Sequence, residues 1–122
     1  MQATPRQAII YLLRGPEPAM EYVGVTTLTP LQRLYRHRTR AIHEGRNSKL
    51  YQSMREHGVK NFTIEILEKI NSYDAHNAER RHILAREAHV KGLNTRVPRL
   101  LPPEAEPSQG AELGALVPYT RD

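Results

Sequence analysis

The chain has no cysteine among its 122 residues. That removes a disulfide framework and a thiolate zinc site, argues against a secreted mini-protein scaffold, and suits a reducing compartment. No apolar run approaches the ~20 residues a bilayer-spanning helix needs, and Met1 to Gln7 lacks the apolar centre of a signal peptide. The expectation is a soluble, cytoplasmic chain with no membrane partner. Also missing are an internal repeat, a phosphate-cradling glycine loop and a His-x-x-x-His zinc pair. What remains is one small domain, whose core of roughly 95 residues buries about two thirds of the surface its unfolded chain exposes.

Positive charge is present, and it is unevenly placed. The formal net charge is +5, and residues 1–61 hold ten basic against four acidic side chains. The later part is near balance, with an acidic end. Such a bias attracts a polyanion, although a solvated basic helix accounts for the charge alone equally well.

Position separates the two readings. Ala8 to Arg14 and Met20 to Thr26 are rich in Ile, Val, Leu and Tyr and are separated by Gly15, Pro16 and Pro18, so they read as a hairpin. Side chains alternate across a strand, which puts Ile9, Tyr11 and Leu13 on one face and Tyr22 with Gly24 on one face of the next strand. Tyr11 and Tyr22 can then stand side by side. Thr29 and Pro30 mark a helix start. Leu31, Leu34, Tyr35, Ala41 and Ile42 form its expected apolar stripe, with Arg33, His37 and Arg40 on another face. Two phenols, a guanidinium and an imidazole thus converge, a set that suits a phosphate better than a packed core.

Farther on, Asn47 or Ser48 can cap a second helix that runs to about His57 and closes at Gly58. Leu50, Tyr51 and Met54 read as its packing edge. Phe62, Ile64 and Ile66 alternate with Thr63, Glu65 and Leu67, the strongest period-two signal in the chain, and predict a third strand. A third helix is expected from Ala75 to about Val90, capped by Ser72 or Asp74, with Glu79, His82, Ile83 and Arg86 along one face. By itself Glu79 reads as a surface carboxylate paired with a neighbouring arginine. From Val97 onward Pro98, Pro102, Pro103, Pro107 and Pro118 mix with acidic and small residues, the composition of a flexible tail. The expected division is a domain at 1–96 and a tail at 97–122.

In this order the elements resemble the GIY-YIG nuclease superfamily, most of all its homing and phage branch. Ile9-Ile10-Tyr11 and Tyr22-Val23-Gly24 match the two name motifs. Arg33 and His37 match its arginine–histidine helix, Ala78-Glu79 with His82-Ile83 its acidic helix, and Gly92-Leu93-Asn94 its late asparagine. Asn47-Ser48-Lys49-Leu50, His57-Gly58 and Asn61-Phe62-Thr63-Ile64 carry the homing and phage flavour. Two departures stand out: Ile9 occupies the usual Gly position, and His82 the usual Trp.

The resemblance implies an α+β fold, a three-stranded antiparallel sheet flanked by helices in the order β-β-α-α-β-α. It implies a metal-dependent endonuclease in which Glu79 holds one Mg²⁺ or Mn²⁺ ion and Arg33 grips the scissile phosphate. Tyr11 would take the proton of the attacking water, His37 would hydrogen-bond to or relay from it, and Tyr22 would orient water or phosphate. Arg36, Arg40, Arg46, Asn47, Lys49 and Asn94 would contact DNA, with RNA an open alternative. Asn94 reads equally well as a residue that bonds to backbone. The long DNA-binding region of homing relatives is replaced by the short tail, so target selection is weak, intrinsic, or supplied by a protein partner through that tail. A double-strand cut needs two visits or a homodimer on DNA. The competing expectation is a catalytically silent GIY-YIG-like module that only binds nucleic acid or a partner.

Overall fold

The computed structural model describes residues 6–101. Three antiparallel strands form one sheet in the order β2-β1-β3. They are β1 (Gln7–Arg14), β2 (Glu21–Thr26) and β3 (Thr63–Asn71). Helices α1 (Pro30–Ile42) and α2 (Lys49–His57) lie between β2 and β3 in sequence, and α3 (Ala75–Arg86) follows β3. The expected element order is the observed one. Among the described residues no helix is long and apolar enough to cross a membrane.

β1 is the centre of the sheet, and its alternation splits the interior in two. Ala8, Ile10 and Leu12 join Val23 and Val25 beneath α3, with Ala75, Ala78 and Ile83. Tyr11 and Leu13 face the other way, toward α1 and α2, with Tyr22, Leu34, Leu50, Tyr51, Met54 and Phe62. One layer is aliphatic and the other carries phenols.

β3 departs from the expected clean alternation. Ile10 pairs with Glu68 while its neighbour Tyr11 pairs with Ile66, so Leu67 is an extra residue on β3. A bulge of this kind moves every later side chain to the opposite face. Ile64 packs on the phenol side, whereas Leu67 and Ile70 pack on the aliphatic side. Ile66, expected inward, is 41% exposed.

α1 begins where expected: Thr29 accepts from the Gln32 amide, and the Gln32 side chain returns the bond to the Thr29 amide. Its expected stripe is wrong in part. Leu31 and Tyr35 are more than 70% exposed and Ile42 is half-exposed, while Arg33, Leu34, His37 and Ala41 are the buried positions. The inner face of α1 is chosen by hydrogen bonding to the sheet.

α2 is capped by Ser48, whose hydroxyl accepts from the Tyr51 amide, and ends at Gly58, whose φ of +91° favours glycine. α3 stops at Arg86 instead of near Val90, because Glu87 turns left-handed at φ +55° and its amide folds back onto the carbonyls of Ile83 and Leu84. Asp74 stands at its N-cap position without a side-chain cap bond, and accepts from Asn71 instead.

The change of composition at Val97 is not a change of packing. Val97 rests on the aliphatic core and Pro98 is buried. Arg80 donates to the Pro98 carbonyl, and Asn77 donates to the Leu101 carbonyl and accepts its amide. Residues 97–101 thus lie as a strap along α3. The rest of the expected tail is outside the described residues.

Candidate active site

Tyr11 is paired across the hairpin with Gly24, and Leu13 with Tyr22. The Tyr11 ring lies over Gly24: a Cβ at that position would sit 2.5 Å from Tyr11 Cζ. Glycine at 24 is therefore what lets the phenol lie across the neighbouring strand. Tyr22 stands diagonally beside it, with ring centroids 6.4 Å apart.

Arg33 and His37 are one helical turn apart on α1 and reach the same phenol. Arg33 Nε donates to Tyr11 Oη at 3.1 Å, and Tyr11 Oη is 2.7 Å from His37 Nε2. The imidazole continues the line, because His37 Nδ1 is 2.8 Å from Tyr51 Oη. Tyr22 closes over the imidazole edge-on, at 5.7 Å between centroids. Arg33, Tyr11, His37 and Tyr51 are all at least 98% buried. In such surroundings each polar side chain requires a partner, and this line gives each of the four at least one.

Burial also sets the protonation states. Desolvation pushes the Tyr11 phenol well above its usual value of 10.0, and the nearby Arg33 opposes that only in part. Without a metal, burial outweighs the guanidinium. Desolvation, with Arg33 and Arg40 adding repulsion, holds His37 well below 6.5. The resting site therefore contains a neutral phenol and a neutral imidazole.

Glu79 arrives from α3. Its neighbours on the inner stripe are Ala75, Ala78 and Ile83, so a glutamate and two small residues stand where an apolar stripe is usual, and this flattens the helical pattern. Glu79 is fully buried with both carboxylate oxygens shielded from solvent, which overturns the surface-carboxylate reading. Its charge is one of those acting on Tyr11. The acid, imidazole and base expected along one face of α3 part company: His82 pairs with Glu68 at 2.8 Å and Arg86 with Glu21 at 3.2 Å. Those pairs staple α3 to β3 and β2.

Among the described residues no three His, Cys, Asp or Glu side chains gather as a metal cage. A lone buried carboxylate whose charge acts on the Tyr11 phenol remains compatible with Mg²⁺ or Mn²⁺, hard ions that keep several waters and take one or two protein oxygens. The donor set fits such an ion at Glu79 and does not fit a structural zinc.

Asn94 is 3% exposed, and its amide is spent on one residue. Val23 N–H donates to Asn94 Oδ1 at 2.8 Å, and Asn94 Nδ2 donates to the Val23 carbonyl at 2.9 Å. It grips β2 between Tyr22 and Gly24, so its expected place on the DNA is corrected to a backbone clamp. Asn47 accepts from Arg55, and Lys49 donates to the Gly92 carbonyl. Arg46 pairs with Glu44 at 3.1 Å. These three are engaged within the chain. Arg36 and Arg40 border a surface groove of about 440 Å³ along α1, with Gln32, Tyr35, Thr39 and Glu44.

The sequence reading missed Tyr51 as a member of the site. Its one signal was a hydroxyl within the Leu50 and Met54 packing edge, since a buried tyrosine normally finds a hydrogen-bond partner.

A sequence model of the GIY-YIG catalytic domain matches residues 7–99, most of the chain. The chain belongs to the GIY-YIG family. The two name motifs of this nuclease end at Tyr11 and at Gly24, which pair across the middle of the hairpin just described, and nucleases of the family generally depend on a divalent metal. Among solved structures, a glutamate-to-alanine variant of the catalytic domain of the intron endonuclease I-TevI shares the fold. The two agree at a TM-score of 0.67 and 22% identity, over 78% of this chain and 99% of that one. No curated protein sequence matches the chain.

Proposed function

We propose that this GIY-YIG nuclease is an endonuclease that hydrolyses phosphodiester bonds in DNA with a single divalent cation, Mg²⁺ or Mn²⁺, at Glu79. The observation that carries the reading is the line from Arg33 Nε through Tyr11 Oη to His37 Nε2, set within reach of the Glu79 charge. Tyr11 takes the proton of the attacking water as its own proton passes along the 2.7 Å bond to His37 Nε2. Arg33, which holds the Tyr11 oxygen through Nε, grips the scissile phosphate with its planar fork. Tyr22, against both Tyr11 and His37, orients water or phosphate. Once bound, the ion supplies Lewis-acid stabilisation of the charge that builds on phosphate and departing oxygen.

Arg36 and Arg40 beside the groove on α1 extend the cationic surface along the helix that carries Arg33, and take flanking phosphates. A homodimer on DNA gives the second nick of a double-strand cut, and residues 102–122 offer a segment for a protein partner inside the cell.

The test is incubation of supercoiled plasmid with the protein, with and without Mg²⁺. Nicked circles are expected only with metal, faster toward alkaline pH, and absent for Glu79→Ala and Tyr11→Phe, with Glu79→Ala still binding DNA. Metal-independent nicking, or normal cutting by Tyr11→Phe, overturns the mechanism. Binding without cutting under any metal returns the chain to the silent-module reading.

A further inference from the structure

We propose that Tyr51 is a positioning residue for this nuclease: its hydroxyl accepts the His37 Nδ1 proton and so leaves Nε2 bare to receive the proton of Tyr11. The inference deepens the proposed mechanism and rests on it only for its kinetic consequence.

The argument is a count of protons and lone pairs. A neutral imidazole has one N–H and one acceptor nitrogen. His37 has a hydroxyl on each side, at 2.7 Å from Nε2 and 2.8 Å from Nδ1. Two arrangements satisfy both bonds. With the proton on Nε2, the Tyr11 oxygen receives from the imidazole and from Arg33 Nε together, and its own O–H must find another acceptor. With the proton on Nδ1, Tyr51 accepts it, Nε2 accepts from Tyr11, and Arg33 donates to the Tyr11 lone pair. The second arrangement runs in one direction, from Arg33 to Tyr11 to His37 to Tyr51. Each arrangement sends one hydroxyl proton outside the line, that of Tyr11 in the first and that of Tyr51 in the second, and only the second spares the Tyr11 oxygen from receiving two donors at once.

Only the second arrangement permits the proton step. The Tyr11 O–H bond breaks as the His37 Nε2–H bond forms and the Tyr11 oxygen takes the proton of the attacking water, so the nucleophilic hydroxide is matched by an imidazolium and no co-reactant is consumed. The imidazolium then has two N–H donors, one held by the Tyr11 oxygen and the other by Tyr51. Other groups around the ring are Tyr22 from β2 and Arg33 and Arg40 from α1. Both arginines repel an imidazolium, so an acceptor at Nδ1 matters more here than in a solvated histidine. Tyr51 is placed for this by the Ser48 cap, which starts α2 one turn before it.

Tyr51→Phe removes one oxygen and keeps the ring in the core. Nitrogen-15 NMR of the His37 ring in the metal-free protein is expected to place the proton on Nδ1 in the wild type and to shift it toward Nε2 in Tyr51→Phe. With saturating Mg²⁺, single-turnover nicking is expected to fall on the order of 10–100-fold, the loss of one hydrogen bond to a charged partner, with DNA affinity within about twofold. A wild-type ring already protonated at Nε2 overturns the proposal. So does an unchanged tautomer in the variant, or a rate loss matched by an equal loss of DNA affinity. The NMR readout needs no turnover, so it fails or succeeds apart from the nuclease reading, which stands on the wild-type plasmid assay.

Discussion

Replacing Gly24 with alanine should damage the site from the neighbouring strand without touching a reactive group. In an ordinary strand the exchange is favourable by about 0.5–1 kcal/mol, because glycine loses more backbone freedom on folding. Here the new Cβ would fall 2.5 Å from Tyr11 Cζ and 2.9 Å from Tyr11 Cε2, against ordinary contact at 3.4 Å or more. The phenol or the strand must yield by about 1 Å, enough to cost on the order of 100-fold in rate when the displaced group takes part in the chemistry. Overpacking costs about 1–3 kcal/mol, so net destabilisation should be about 0–2.5 kcal/mol after the backbone gain of about 0.5–1 kcal/mol. Plasmid nicking with Mg²⁺, read beside the urea midpoint, measures both. Gly45→Ala is the control: its φ of +62° makes alanine strained, but nothing lies within 4 Å of the new methyl. That variant should lose stability and keep its nicking rate. A Gly24→Ala protein that cuts within threefold of wild type would refute the claim that Tyr11 is held by the bare backbone beneath it.

Other expectations follow from the same geometry. Asn94→Ala strands the buried Val23 amide and carbonyl, so urea unfolding should show a loss of about 2–4 kcal/mol; a loss under 0.5 kcal/mol would contradict the clamp. His37 is depressed below 6.5 in the fold, so its contribution is present above that value and lost as pH falls below it. Stability should then drop by about 1.4 kcal/mol per pH unit just below this point, and His37→Gln should abolish that part of the slope. If the two proteins lose stability in parallel between about pH 7.5 and 5.5, His37 is not the group responsible. Arg36→Ala should weaken DNA binding uniformly across sequences and lower the log–log salt slope by about 1; an unchanged slope would take Arg36 off the phosphates.

The fold was legible because its local signals agree: the Gly15 to Pro18 break, the Thr29-Pro30 start and the Ser48 cap all stand where they were read. The ladder of residues reaching Tyr11 was legible through the family motifs and the strand period. What misled was the assumption that the inside of a helix is its apolar side. On α1 the inner face holds Arg33 and His37, whose burial is compensated by bonds to Tyr11 and Tyr51, while Leu31 and Tyr35 are left outside. On α3 the same inversion made Glu79 read by itself as a surface carboxylate, and only the family motif assigned it to the site. The Leu67 bulge could not be read from β3 alone, because the extra residue exists only relative to β1. The strap after Val97 was invisible for a similar reason: its partners are side chains of α3, and its own composition is that of a loop.

One layer of this protein's interior is made of its reactive groups: Tyr11 and Tyr22 share it with Leu13, Leu34, Leu50, Met54 and Phe62. Selection for a hardier molecule and selection for cutting therefore act on the same atoms. Exchanging a hydroxyl or a guanidinium for a hydrocarbon of similar shape is a common way to harden an interior. A population evolved only to survive heat should drift toward well-built proteins that no longer cut. Whatever keeps those polar groups in place must be continued use.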